Sequence, residues 1–174
     1  MADSLAPTTL VPLSAVDPSM VEQLLDRAFG PGRHERTAYK VREGTEWLPA
    51  LSFAALDEHE LLVGSIQVYP VALTDDNGRR HPMLMVGPVA VVPERQSEGF
   101  GTTLMLAMAS SLDPATALPQ VLIGDAPYYS RFGFLAAPTQ GWTLPGPYDQ
   151  SRLLVRAPNV GVLPEKGMLG PWIG

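Results

Sequence analysis

Apolar positions along this chain change their spacing several times, and each change marks an element. Thr9–Leu13 is a short apolar run, the pattern of a first strand. Asp17-Pro18 then supplies an N-cap and a proline in the first helical turn, and Val21, Leu24, Leu25 and Ala28 follow at helical spacing. The helix they predict stops at Phe29-Gly30-Pro31-Gly32, where glycine and proline break it. Residues 34–46 mix charges around two apolar anchors, Tyr39 and Val41, and fit a short helix or a loop equally well.

From Leu51 the pattern turns to strands: Leu51–Leu56, Leu61–Leu73 and Met83–Val92 are rich in valine, leucine and aromatics. The polar turns between them are Asp57-Glu58-His59-Glu60 and Asp75-Asp76-Asn77-Gly78, the second carrying an Asn-Gly pair suited to left-handed hairpin angles. An antiparallel meander is predicted. After Pro93, Leu104, Met105, Met108 and Leu112 recur at helical spacing until Asp113-Pro114. Val121–Ile123 is another apolar strand, so the order from Val89 to Ile123 reads as a right-handed crossover between two parallel neighbours. Residues 138–174 hold six of the 18 prolines and predict loops, with Arg152–Ala157 as the one strand-like run and the tail from Gly167 to Trp172 too irregular to assign. The fold class is therefore α/β of the α+β type: a mixed, mostly antiparallel central sheet flanked by helices.

Composition narrows the partners. A length of 174 residues predicts a single domain over 1–174, and 45 % hydrophobic against 17 % charged residues is enough to build a core. Twelve basic residues against 18 acidic ones leave a formal charge of -6, which argues against a nucleic-acid surface. Zero cysteines exclude disulfides, thiolate nucleophiles and cysteine-ligated metals. His34, His59 and His81 lack a ligand spacing, so no metal site is predicted. Met1–Pro7 lacks both the cationic start and the apolar stretch of an export signal, and no window reaches the roughly 18 to 20 apolar residues of a membrane span. A cytoplasmic protein without membrane partners is the expectation, as monomer or homodimer.

Candidate chemistry gathers in Val89-Ala90-Val91-Val92-Pro93-Glu94-Arg95-Gln96-Ser97-Glu98-Gly99-Phe100-Gly101-Thr102. A strand ends in proline, makes a glycine-bearing turn and opens a helix, an arrangement whose unpaired amides and helix dipole attract anions. A Walker loop fails for want of lysine after Gly101, and a dinucleotide fingerprint is weakened by Leu104 where a small residue belongs. The third reading is a coenzyme A pyrophosphate turn of the form Arg/Gln-x-x-Gly-x-Gly/Ala, which Gln96-Ser97-Glu98-Gly99-Phe100-Gly101 fits at every place.

With this turn, the preceding Val-Ala-Val-x-Pro and the later Tyr128-Tyr129-Ser130-Arg131-Phe132-Gly133-Phe134, the chain resembles the GNAT superfamily of N-acetyltransferases. The best-matching core is 61–134, with a proline-rich C-terminal extension at 138–174. Gly124-Asp-Ala-Pro-Tyr-Tyr and Leu144-Pro-Gly-Pro-Tyr148 look like a bacterial subgroup of largely unassigned substrate. The resemblance implies the GNAT acyl-coenzyme A fold and acetyl-coenzyme A as co-substrate. It also implies main-chain contacts from Val89, Ala90 and Val91 to the pantetheine arm, and a diphosphate held by the amides of Gln96, Ser97, Glu98, Gly99, Phe100, Gly101 and Thr102.

Tyr129 stands four residues before Gly133, where the GNAT pattern has its catalytic tyrosine. The resemblance implies that its phenol protonates the departing thiolate, while an amide near Val91 faces the developing oxyanion. Tyr128, Phe132 and Phe134 read as core aromatics. Arg95 fits a coenzyme phosphate contact or a solvated surface position equally. Glu94, Asp125 and the turn acids Asp57, Glu58 and Glu60 are candidate bases without a leader; the turn acids read most simply as solvated, and Asp125 as a helix cap. The expected activity is acetyl transfer from acetyl-coenzyme A to a primary amine of a small molecule or protein by direct attack in a ternary complex. The alternative is a non-catalytic acyl-coenzyme A-binding or partner-binding domain of the same fold.

Overall fold

The computed structural model describes residues 8–173. The expectation about export rests on Met1–Pro7, outside the described residues. The elements in chain order are β1 (Thr9–Pro12), α1 (Pro18–Phe29), α2 (Thr37–Val41), β2 (Phe53–Leu56), β3 (Leu62–Thr74), β4 (Arg80–Val91), α3 (Phe100–Ser110), β5 (Gln120–Ile123), α4 (Ala126–Tyr129), β6 (Gly141–Thr143), β7 (Leu153–Arg156) and β8 (Lys166–Pro171). The strand order is β1-β2-β3-β4-β5-β7, with β8 paired to β3 and to β6. Among the described residues, the parallel registers are those of β4 with β5 and β6 with β8. The sheet is mixed and mostly antiparallel, as its sequence pattern predicts. Among the described residues, no helix is long and apolar enough to cross a membrane.

The chain forms two compact units. One takes the described residues up to His34, with Leu48–Val68 and Pro88–Asp113; the other takes Glu35–Trp47, Tyr69–Gly87 and the chain from Pro114 onward. In the first, Asp17 caps α1 by accepting from the Ser19 amide at 2.9 Å, and Val21, Leu24 and Leu25 form the buried stripe of that helix. Gly30, at φ 89°, ends it. Helix α3 packs on β2 and buries Phe100, Leu104, Met105 and Met108. Gly64 on β3 permits that fit, because a side chain there would stand 3.0 Å from Leu104 and 3.1 Å from the Ala90 carbonyl. In the second unit the core is built from Val41, Val71, Met85, Trp142, Leu153 and Leu169 with their neighbours.

Several boundaries depart from the sequence pattern. Leu112 lies beyond α3, because the Ser111 and Leu112 amides turn to acceptors three residues back, Met108 and Ala109, and tighten the exit. Residues 34–46 settle as the short helix α2 with Val41 buried. In both β-turns the organiser is an aspartate. Asp57 accepts from the amides of His59 and Leu61 at 2.8 and 3.0 Å, and Asp75 from those of Asn77 and Arg79 at 2.9 and 3.0 Å. Only Gly78, not Asn77, is left-handed in the second turn.

The parallel pairing of β4 with β5 is found upstream of Val89, at Leu84↔Gln120 and Met85↔Val121. Gly87 follows at φ 135°, and Pro88 has no N–H to donate. After Gly133 the chain meets β7 at an isolated bridge, Leu135↔Val155.

The largest correction concerns residues 138–174, which contain three strands rather than one. β8 carries Gly167 because a Cβ there would lie 2.8 Å from both the Leu73 side chain and the Thr74 carbonyl. Glycines admitted for close approach erased the alternation by which a strand is recognised. At Gly141 a Cβ would lie 2.2 Å from the Glu165 carbonyl, whereas at Gly170 it would meet nothing within 4 Å. Gly141→Ala should therefore destabilise the fold by about 1–3 kcal/mol, the usual result of overpacking against backbone. Gly170→Ala should leave the urea midpoint nearly unchanged, and equal midpoints for the two variants would refute the close approach.

Candidate active site

In the first unit, Val89, Ala90 and Val91 end β4 and lead through a 3-10 turn at Pro93–Arg95 into Gln96–Gly99 and the start of α3. The Val92 amide donates to the Val63 carbonyl on β3 at 2.9 Å. Strand alternation therefore turns the main-chain groups of Ala90 toward β3 and those of Val89 and Val91 the other way. Ala90 is thus committed to the sheet. The Gln96 side-chain amide donates to the Val91 carbonyl at 3.2 Å and ties the turn back to the strand.

Two left-handed residues shape the turn, Ser97 at φ 73° and Gly99 at φ 90°. Gln96 before them is extended, at φ -65° and ψ 152°, and Gly99 passes directly into the right-handed first turn of α3, a left-to-right step that orients successive amides to one side. The Thr103 amide donates into α3, to the Gly99 carbonyl, at 3.0 Å. The amides of Phe100 and Gly101 precede it, and Gly99 offers no side chain to cap them. The segment Gln96–Thr102 is thus a turn, Gln96–Gly99, that runs directly into the first residues of α3, with no side chain capping the Phe100 and Gly101 amides.

Arg95 is neither a solvated residue nor a free anion ligand. It is 22 % exposed, and each of its three nitrogens donates to a carboxylate: Nε to Glu98 at 2.8 Å, Nη1 to Asp57 at 3.1 Å and Nη2 to Glu58 at 3.4 Å. Its guanidinium also lies 5.2 Å from the centre of the Phe100 ring. Asp57, only 5 % exposed, is correspondingly not a solvated turn residue. Main-chain hydrogen bonds, that from Leu61 foremost, hold its carboxyl below the ordinary range, with Arg95 adding to the effect. Sequence reasoning missed this link; the Arg95–Glu98 spacing was its one visible signal.

The other candidate bases are also engaged. Glu94 pairs with Arg27, whose hydrogen bond lowers its pKa. Asp125 caps α4 by accepting from the Tyr128 amide at 3.1 Å. Glu60 is an exposed left-handed turn residue.

Tyr129 belongs to the second unit, at the end of α4. Its ring meets Tyr128 edge-on at 4.9 Å and Phe134 at 6.3 Å. Phe134 is core, while Tyr128 and Phe132 are only half-buried. Gly124 makes room for the ring, since a Cβ there would stand 2.5 Å from Tyr129 Cε2. Burial pushes the Tyr129 phenol up to about 12, with Tyr128 adding to the rise. Among the described residues, no hydrogen-bond partner is assigned to that phenol oxygen.

The acetyltransferase (GNAT) domain family matches residues 13–137, more than half of the chain. The chain belongs to this family. It is similar to the uncharacterized N-acetyltransferase YhbS of Escherichia coli K12, 26 % identical over 119 residues that cover 68 % of each protein. GNAT folds also match among solved structures. The crystal structure of E. coli YhbS in complex with CoA superposes with a TM-score of 0.70 at 22 % identity, covering 98 % of this chain and 92 % of that one. A Brucella melitensis GNAT acetyltransferase in complex with acetyl-CoA gives 0.54 at 26 % identity, covering 87 % and 97 %.

The buried phenol makes a pH prediction. Its pKa is raised in the folded chain from 10.0 to about 12, so the stability it contributes is fully present below pH 10 and lost as pH rises toward 12. Urea midpoints measured from pH 9 upward should fall more steeply for the unaltered protein than for Tyr129→Phe. Parallel curves would show that the phenol is solvated.

Proposed function

We propose that this GNAT protein is an acetyl-coenzyme A-dependent N-acetyltransferase acting on a primary amine, as a single domain over 1–174. The observation that carries this reading is the turn at Gln96–Gly101, with its left-handed residues and its uncapped amides at Phe100 and Gly101. The relatives crystallised with CoA and acetyl-CoA support the choice of co-substrate. In this reading the turn amides, that of Thr102 included, take the diphosphate, and the outward main-chain groups of Val89 and Val91 take the pantetheine arm. The Val91 amide would serve the oxyanion.

The neutral amine attacks the thioester carbon, a tetrahedral intermediate forms, and its collapse makes the amide and expels the coenzyme A thiolate. Tyr129 gives its proton to that sulfur and recovers one from solvent. A phenol held near 12 is loaded with its proton at neutral pH. Among the candidate bases, Asp57, Glu58 and Glu94 are held in ion pairs and below their ordinary pKa values, Asp125 caps α4, and Glu60 lies exposed in a turn. In this reading the ammonium proton leaves to water, and turnover follows the neutral fraction of the amine.

Calorimetry with acetyl-coenzyme A should show saturable binding in the micromolar range, a typical value for enzyme substrates. Gly101→Asp, which puts a side chain and a negative charge among the donors, should abolish it. Binding by that variant equal to the unaltered protein's would remove the turn from the site. With an acceptor found from an amine panel, Tyr129→Phe should leave coenzyme affinity unchanged while lowering turnover about 100-fold, within the usual contribution of a general acid. Undiminished turnover would leave Tyr129 a packing residue.

A further inference from the structure

The carboxylate-bound Arg95 poses a question that the proposed function leaves open. It stands at the head of an anion-binding turn, yet three carboxylates share its nitrogens. That cluster is net negative, an unfavourable setting for a direct phosphate contact. Its geometry serves the backbone instead. The Arg95–Glu98 contact spans Gln96 and Ser97, so it closes a side-chain loop around the left-handed serine. Left-handed backbone is unfavourable for a residue with a Cβ by about 1–2 kcal/mol, so Ser97 holds that angle only where its surroundings impose it. On its other side Arg95 reaches Asp57, which is itself fixed by the His59 and Leu61 amides at the β2–β3 turn. The Glu98 carboxylate, paired to Arg95, is also partly neutralised beside the amides that would receive a diphosphate.

Resting on the proposed function, we infer that Asp57 and Arg95 are positioning residues for coenzyme binding: the Asp57–Arg95–Glu98 chain braces the turn in its anion-accepting form without touching the coenzyme. A direct phosphate contact by Arg95 predicts the opposite response to loss of its partner. Freed from Asp57, the guanidinium would turn to the phosphate and affinity would hold or rise. Under the bracing role, removing Asp57 loosens the turn and affinity falls.

The experiment is calorimetric titration of the full chain with CoA, with pantetheine as a probe lacking the diphosphate. Asp57→Asn keeps an oxygen to accept the His59 and Leu61 amides and removes only the charge facing Arg95. If the turn then spends about a tenth of its time in the competent form, CoA should bind about tenfold weaker. Pantetheine should bind both proteins alike, which a general loss of structure would not produce. Asp76→Asn, an exposed acid in the β3–β4 turn, controls for the change in net charge and should match the unaltered protein.

CoA binding by Asp57→Asn as tight as, or tighter than, that of the unaltered protein would overturn the brace. So would equal losses for CoA and pantetheine. Should Asp57→Asn fail to fold, Glu98→Gln reads the same alternatives: the brace predicts weaker binding although a negative charge has left the turn. If the unaltered protein itself binds no CoA, the proposed function fails first and the brace with it. Binding by the unaltered protein with an unaffected Asp57→Asn sinks the brace alone.

Discussion

Main-chain donors left without a capping side chain are the constraint on which the turn before α3 depends. A folded chain seldom leaves N–H groups unpaired unless water or a ligand can reach them. Here the chain passes through left-handed angles at Ser97 and Gly99 and enters α3 with no capping side chain. Aspartate or serine at the Gly99 position would be the ordinary N-cap and would consume a donor. The glycine therefore gives up some helix stability and leaves donors for an incoming anion. Gly64 contributes from the neighbouring strand: by admitting Leu104 and the Ala90 carbonyl at close range, it lets α3 and β4 lie against β3, which fixes where the turn begins.

With a formal charge of -6, the protein's own field works against the proposed diphosphate site. The acids nearest the turn are tied down in pairs. Glu94 is held by Arg27, while Glu98, Asp57 and Glu58 share Arg95. These pairs are partly exposed, so their value lies less in stability than in orientation. Each carboxylate is held against a cation, and attraction is left to backbone dipoles, which a change of surface charge does not erase.

The legible parts of this fold were those where one physical signal acted alone. Asp17-Pro18 and Gly30 bound α1, and the glycine spacing and the tyrosine four residues before Gly133 carried the family. What escaped was decided between segments distant in sequence. β6 and β8 went unread because Gly141 and Gly167 are small for the sake of backbone atoms from elsewhere in the chain. Asp57 looked like a solvated turn residue because its partner lies 38 residues away. That Ala90 faces β3 while Val89 and Val91 face the other way was likewise out of reach, since a sequence shows that a strand exists and not which neighbour its amides face.

In the proposed reaction the two proton transfers are unequal in difficulty, and the placement of titratable groups matches that inequality. An amine loses its proton to water at ordinary rates once a neutral fraction exists, so the attacking side requires little from the protein. The leaving side differs, because a thiolate expelled where water is sparse needs a proton delivered as the carbon–sulfur bond breaks. Asp125 is committed to a helix cap, and Asp57, Glu58 and Glu94 to ion pairs that accompany lowered pKa values, which leaves only the exposed Glu60 without a side-chain partner among the candidate bases. Tyr129 runs the other way: its phenol is desolvated and pushed up, and Gly124 is small so that the ring can occupy its place. The upward shift keeps the Tyr129 proton in place at neutral pH and makes the phenol a weaker donor than an ordinary one, so in the proposed reaction the proton moves only as negative charge gathers on sulfur. In that reading the protein supplies the acid and solvent takes the proton of the amine.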